Sequence, residues 1–235
     1  MEREVLLIIP AYNEEEAIEE TLEQVLAYQK QEPFFDVIVI NDGSTDRTEE
    51  ILEQYSRRIH VVNLPHNLGI GGAVQTGYQY AEQHRYECAV QFDADGQHVI
   101  SELKKMYEVM KSSHADMIIG SRFKEKTYYK GTVARRVGIG FFTYFIYLFT
   151  HVKIMDPTSG FRIKSRRVIE HFAKDYPSDY PEPEVIVTGC RKGWNIQEIS
   201  VEMRPRQGGF SSIHSWKTIY YMMKVSFSVL KEWRK

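Results

Sequence analysis

The sequence predicts an α/β protein built on a mostly parallel sheet flanked by helices. Two observations carry this expectation: short continuous apolar runs of strand length alternate with amphipathic helical stretches, and each run ends in a cluster of polar, acidic or glycine residues. Strands that alternate with helices imply βαβ units and parallel pairing.

Val5, Leu6, Leu7, Ile8 and Ile9 form an unbroken apolar run closed by Pro10, as expected of a strand buried on both faces. Residues 14–27 come next as a helix with Ala17, Ile18, Leu22, Val25 and Leu26 on one face. The pattern repeats as strand 36–40, helix 46–55, strand 59–64, helix 71–82, strand 88–92, helix 101–111 with Ser101 as N-cap, and strand 116–119. No repeat or low-complexity linker interrupts this first unit, which runs to about residue 125.

Beyond Arg122 the texture changes. Residues 137–152 lack charge and carry Phe141, Phe142, Tyr144, Phe145, Tyr147 and Phe149, with Arg135 and Arg136 before and Lys153 after. The stretch is shorter than the roughly 20 residues that span a bilayer, and its aromatic density and basic flanks suit a helix lying in a membrane interface. Residues 214–235 read as a second such helix, with Trp216, Ile219, Tyr220, Met223, Phe227 and Leu230 sharing a face beside Lys217, Lys224 and Lys231. The expected division is 1–213 as the main domain, in halves 1–125 and 126–213, and 214–235 as a C-terminal amphipathic helix.

At 235 residues and 43% hydrophobic content the chain can bury one sizeable core. Cys88 and Cys190 form no zinc-ligand pattern, and Met1-Glu2-Arg3-Glu4 is not the basic start of a signal peptide, so a reducing cytoplasm is expected. Residues 1–100 hold 19 acidic and 6 basic side chains, whereas residues 101–235 hold 13 and 24. Solvated helices account for this polarity as readily as an anionic partner of the second half does.

Ligands of doubly wound sheets bind beyond the carboxyl ends of the strands. The segments at those ends therefore specify the expected site: Pro10-Ala11-Tyr12-Asn13-Glu14, Asn41-Asp42-Gly43-Ser44, Asp93-Ala94-Asp95-Gly96-Gln97-His98 and Gly120-Ser121-Arg122. Two carboxylates one residue apart at the end of a buried strand repel unless a cation lies between them. Mg²⁺ or Mn²⁺ answers this with Asp93, Asp95 and Gln97 as hard oxygen ligands that also engage a diphosphate. Asp42 and Glu14 suit hydrogen bonds to a base or ribose, with Pro10 and Tyr12 as a flat wall. Asn67-Leu68-Gly69-Ile70-Gly71-Gly72 is expected as a glycine-rich helix start lining the same cleft, although its spacing departs from a phosphate-binding loop.

These motifs, together with Asp156-Pro157-Thr158-Ser159-Gly160-Phe161-Arg162, resemble the inverting GT-A glycosyltransferases, and within them the dolichyl- or polyprenyl-phosphate sugar synthases. The resemblance runs from residue 4 to about residue 213. It implies donor contacts at Pro10, Ala11, Tyr12, Glu14, Asp42, Ala94 and Gln97, metal contacts at Asp93, Asp95 and Gln97, and catalytic parts for Asp93, Arg122, Asp156 and Arg206. Residues 206–213 resemble a late loop that closes over the donor, with Ser212 where relatives commonly carry lysine. The implied activity is metal-dependent transfer of a sugar, UDP-linked by preference, to a polyprenyl phosphate at the cytoplasmic membrane face.

An acceptor phosphate, with a second pKa of about 6, is already a nucleophile and needs cations rather than a base. Arg122, Arg135 and Arg136 are the candidates to hold it. A glycan hydroxyl acceptor would instead need a carboxylate base, with Asp156 the candidate. A silent nucleotide-sugar scaffold is the third reading. Expected partners are the donor, the lipid phosphate, the membrane surface, and a small integral membrane protein or a second copy, without nucleic acid.

Overall fold

The computed structural model describes residues 4–124, 133–178, 181–204 and 215–234. Seven strands, β1 (Val5–Ala11), β2 (Phe35–Asn41), β3 (His60–Asn63), β4 (Cys88–Gln91), β5 (Met117–Ser121), β6 (Arg162–Ser165) and β7 (Ile196–Ser200), form one sheet in the order β3-β2-β1-β4-β6-β5-β7. All pairings are parallel except those of β6, which runs antiparallel to both β4 and β5. The α/β expectation therefore holds, with one reversed strand that the apolar pattern does not announce.

Helices α1 (Ile18–Gln31), α2 (Thr48–Tyr55) and α4 (Glu102–Ser113) cover one face; α3 (Gly69–Gln83), α5 (Val133–Thr150), α6 (Arg166–Phe172), α7 (Pro181–Arg191) and α8 (Ser215–Arg234) cover the other. β1 shows why both faces need covering. Val5, Leu7 and Ile9 enter the core beneath α1 and α4, while Leu6 and Ile8 enter the core beneath α3. Each such side chain contributes about 1.5–3 kcal/mol by leaving water.

Several boundaries differ from the expected ones. α1 begins at Ile18 rather than at 14, because Asn13 adopts a left-handed φ of 53° and the Glu14 carbonyl closes a turn before the helix starts. Ser101 stands at the N-cap of α4, but its backbone is already helical and its side chain makes no capping bond. In α8 the buried side chains include Val225, Val229 and Glu232, the last bonded to Thr188 and Arg191 of α7, while Phe227 is 71% exposed. Of the face expected to be apolar, Phe227 points outward and Leu230 is half-buried, while the side chains of Trp216, Ile219, Tyr220 and Met223 lie outside the described residues. α5 buries Ile139, Phe142 and Ile146 and exposes Val137, Tyr144, Tyr147 and Leu148. Stacked and edge-on rings run from Phe141 through Phe145 and Phe149 to Trp233 of α8. No described helix is long and apolar enough to cross a membrane.

One core residue stands out chemically. Lys164 of β6 is fully buried, bonded to the Tyr78 hydroxyl and surrounded by the rings of Tyr78, Phe172 and Tyr176. Burial, and behind it the nearby Arg162, pushes its pKa well below the ordinary lysine value. Between that lowered value and about 10.4 the unfolded chain binds more protons than the fold, so Lys164 costs stability at neutral pH, and the cost shrinks as pH rises. Lys164→Met should raise the urea unfolding free energy at pH 7 by about 1 kcal/mol or more, each unit of lowered pKa being worth about 1.4 kcal/mol. The gap to the unaltered protein should narrow towards pH 10, and a variant less stable at pH 7 would contradict this account.

Candidate functional site

Because β6 is reversed, the segment that precedes it lies on the same sheet edge as the segments that come after β1, β2, β4 and β5. Five stretches remote in sequence therefore meet along one edge: 11–14, 42–46, 92–98, 121–124 and 156–161. Hydrogen bonds lock them pairwise. The Asn13 amide donates to Ser44 Oγ at 3.0 Å and the Thr45 amide donates to Asn13 Oδ1 at 2.8 Å, joining the first two loops. The Thr21 hydroxyl of α1 donates to the Ala94 carbonyl, anchoring the third.

The loop after β4 turns sharply at Gly96, whose φ of 73° favours glycine. Asp95 is buried and accepts the Gln97 amide at 3.0 Å. Asp93 is partly exposed and accepts from Gln91 at 3.2 Å. His98, buried and stacked on Phe161, accepts the Asp93 amide on Nδ1 at 2.9 Å; desolvation lowers its pKa, keeping the ring neutral. Gly160 presses on this loop from the other side, where an added Cβ would lie 2.9 Å from Asp93 Oδ2.

Among the described residues no group of three His, Cys, Asp or Glu side chains gathers to hold a metal. Asp93, Asp95 and the Gln97 amide offer hard oxygen ligands, a set that fits Mg²⁺ or Mn²⁺ when substrate phosphates supply the remaining positions.

On the donor side, Pro10 and Ala11 are buried in β1, Tyr12 is 46% exposed and Glu14 is half-buried. Asp42 is buried, and its Oδ1 accepts the Leu68 amide at 2.7 Å. Desolvation is the main cause of its raised pKa. The glycine-rich segment starts α3 beside Asp42, as expected, and it also has a packing part. A methyl group at Gly71 would overlap the carbonyl oxygens of Pro177 and Ser178, so this glycine lets the α3 start pack on the chain entering α7.

Arg122 and Asp156, both expected in the site, meet each other: Arg122 is 3% exposed and Asp156 is fully buried. Arg122 Nε and Nη2 bind the two carboxylate oxygens of Asp156 at 2.7 Å each, Nη2 also donates to Thr158, and the Arg122 amide donates to Asp156 Oδ2. Asp156 is committed to its arginine rather than placed to take a proton. The side chains of Arg135 and Arg136, and Arg206 with the whole late loop, lie outside the described residues.

Two acidic residues escape the sequence reading. Glu198 of β7 is buried against the Asp156 turn. Glu182, in the first turn of α7, lies near enough to Asp93 for that charge to raise its pKa, after burial as the main cause. A lone carboxylate between Ile196 and Ser200 on one strand face is the available signal for the first; for the second, the Glu-Pro-Glu run reads only as a helix start. A separate groove of about 520 Å³, lined by Glu32, Phe34, Lys104 and Tyr107 among others, lies near the amino-terminal ends of β1 and β2 and takes no part in this cluster.

A mostly parallel sheet with paired aspartates and a locked Arg/Asp pair along its carboxyl edge has the layout of a glycosyltransferase. Residues 6–193 match the model of glycosyl transferase family 2, and the chain belongs to that family. It is 29% identical over 245 residues to a dolichyl-phosphate beta-glucosyltransferase of Trichomonas vaginalis, covering 97% of this chain and 72% of that one. It is 26% identical over 216 residues to a UDP-N-acetylglucosamine–dolichyl-phosphate N-acetylglucosaminyltransferase of Methanococcus voltae, covering 84% of each. Glucosyl-3-phosphoglycerate synthase from Mycobacterium tuberculosis, crystallised with Mn²⁺, UDP and phosphoglyceric acid, shares the fold with a TM-score of 0.74 at 17% identity, over 98% of this chain and 78% of that one.

Removing the charge of Asp156 would leave a buried guanidinium without its counter-ion. Asp156→Asn should lower the urea unfolding free energy by about 3–5 kcal/mol, whereas Thr158→Val, which deletes one bond from the arginine and one to Asp156 but leaves the ion pair, should cost about 1–2 kcal/mol. Equal losses in the two variants would overturn the ranking.

Proposed function

We propose that the protein transfers a sugar, with inversion and metal dependence, from a UDP-sugar to a polyprenyl phosphate at the cytoplasmic face of the membrane. Asp93, Asp95 and Gln97 would hold Mg²⁺ or Mn²⁺ together with the donor diphosphate, and the cation supplies charge neutralisation for the departing nucleotide. Tyr12, Glu14 and Asp42 bind the nucleoside. The acceptor phosphate is its own nucleophile, and the basic residues of the second half, Arg135 and Arg136 among them, orient it, while Arg206 belongs to the loop that closes over the donor.

The observation that carries the acceptor reading is the outward aromatic and aliphatic stripe of α5, continued by Trp233 of α8. It is a lipid-compatible surface on the helix whose first turn contains Arg135 and Arg136. Similarity to transferases named for dolichyl phosphate supports the same reading.

Transfer to a glycan hydroxyl is the second reading, and it would need a carboxylate base, which a phosphate acceptor does not. Radiolabelled UDP-sugars incubated with membranes and Mn²⁺ distinguish the two. Label in a lipid product released by mild acid is expected; label confined to acid-stable glycan would favour the hydroxyl. Asp95→Asn should reduce turnover by at least 100-fold with little change in melting temperature. It should also abolish the Mn²⁺-dependent thermal shift by UDP, a shift that saturating ligand produces by binding only the folded state. Turnover retained in that variant would count against the ligand assignment.

A further inference from the structure

Glu198 lies on β7, opposite Ile119 of β5, with its carboxylate buried. Burying a carboxylate is costly unless charge-assisted hydrogen bonds replace its water. Here they do, and both come from one place: Glu198 Oε2 accepts the Met155 amide at 2.9 Å and Oε1 accepts the Asp156 amide at 2.7 Å. Lys124, two residues beyond Arg122, donates its ammonium to the Glu198 carbonyl. One residue of β7 thereby grips both partners of the buried ion pair, the Asp156 turn by its side chain and the segment after β5 by its backbone.

The same turn continues through Ser159, whose hydroxyl donates to the Gly120 carbonyl at 2.6 Å, to Gly160 at Asp93. Two consecutive amides converging on two oxygens require a carboxylate. A carboxamide has one acceptor oxygen, and its NH₂ would face the second N–H as donor against donor.

We propose that Glu198 is a positioning residue for sugar transfer, acting through the Asp156 turn to set the ion pair of Arg122 and Asp156. The inference rests on the transferase reading above. It places Glu198 behind the acceptor side and not among the groups that hold the donor, since Asp42, Tyr12 and Asp95 make none of its hydrogen bonds.

The test uses the full chain with Glu198→Gln, Arg122→Lys, which keeps a cation beside Asp156, and the double variant. Glu198→Gln should lower kcat for transfer to polyprenyl phosphate at least tenfold at saturating donor, with the Kd for UDP in the presence of Mn²⁺ changed by less than about twofold. The double variant should be no slower than the slower single variant, because residues acting as one unit are not additive. Amide exchange should quicken at residues 154–158 and stay unchanged in β1 and β2.

Multiplied losses in the double variant, or UDP affinity falling in step with kcat, would assign Glu198 a general structural part and overturn the proposal, as would unchanged exchange at 154–158. Absence of transfer by the unaltered chain would instead sink the acceptor reading, and a role for Glu198 in transfer with it. The exchange measurement would still report whether Glu198 holds the turn.

Discussion

The site depends on one buried ion pair. Arg122 comes from the end of β5 and Asp156 from the turn entering β6, and the two are joined by two side-chain bonds of 2.7 Å out of contact with water. Such a pair is weak evidence for net stability, because desolvation offsets much of its attraction. Its value is geometric: a bidentate guanidinium and carboxylate admit one relative orientation. Everything between residues 156 and 161 inherits that orientation, including Gly160 where it backs Asp93 and Phe161 where it stacks on His98.

The reversed strand makes this pairing possible. Were β6 parallel to its neighbours, the Asp-Pro-Thr-Ser-Gly segment would enter at the amino edge of the sheet, far from Asp93. Running antiparallel, it brings a segment that precedes a strand level with segments that come after strands. The exit of β7 completes the enclosure: Met203 bridges to His98, and the Arg204 amide donates to the Gln97 carbonyl at 2.8 Å. The loop of the two aspartates is therefore held by α1 through Thr21, by the turn entering β6 through Phe161 and by the chain leaving β7.

The range of each interaction decides how much of this is legible in the sequence. β1 and the alternating helices are legible because burial on both faces leaves a continuous apolar run, a local property. The loops of Asp42 and of Asp93 and Asp95 are legible because a rule ties ligand sites to strand ends. β6 is not, since Arg162 and Lys164 interrupt its apolar pattern. Arg162 is nonetheless buried, donating to the carbonyls of Pro157, Ser159 and Glu182. Those partners are set by tertiary structure, and no local pattern encodes them. The same applies to Gly71, which has the look of a ligand loop and is a packing contact with Pro177 and Ser178.

The charge polarity of the chain acquires a spatial meaning from the strand order. Residues 1–100, with 19 acidic and 6 basic side chains, supply β3, β2, β1 and β4; residues 101–235, with 13 and 24, supply β6, β5 and β7. An asymmetry along the sequence thus becomes an asymmetry across the sheet. The boundary falls between β4 and β6, where Asp93 and Gly160 meet. The loop of the two aspartates therefore sits at the seam between the acid-rich and the base-rich parts of the sequence, and the reversed strand is the divider between them.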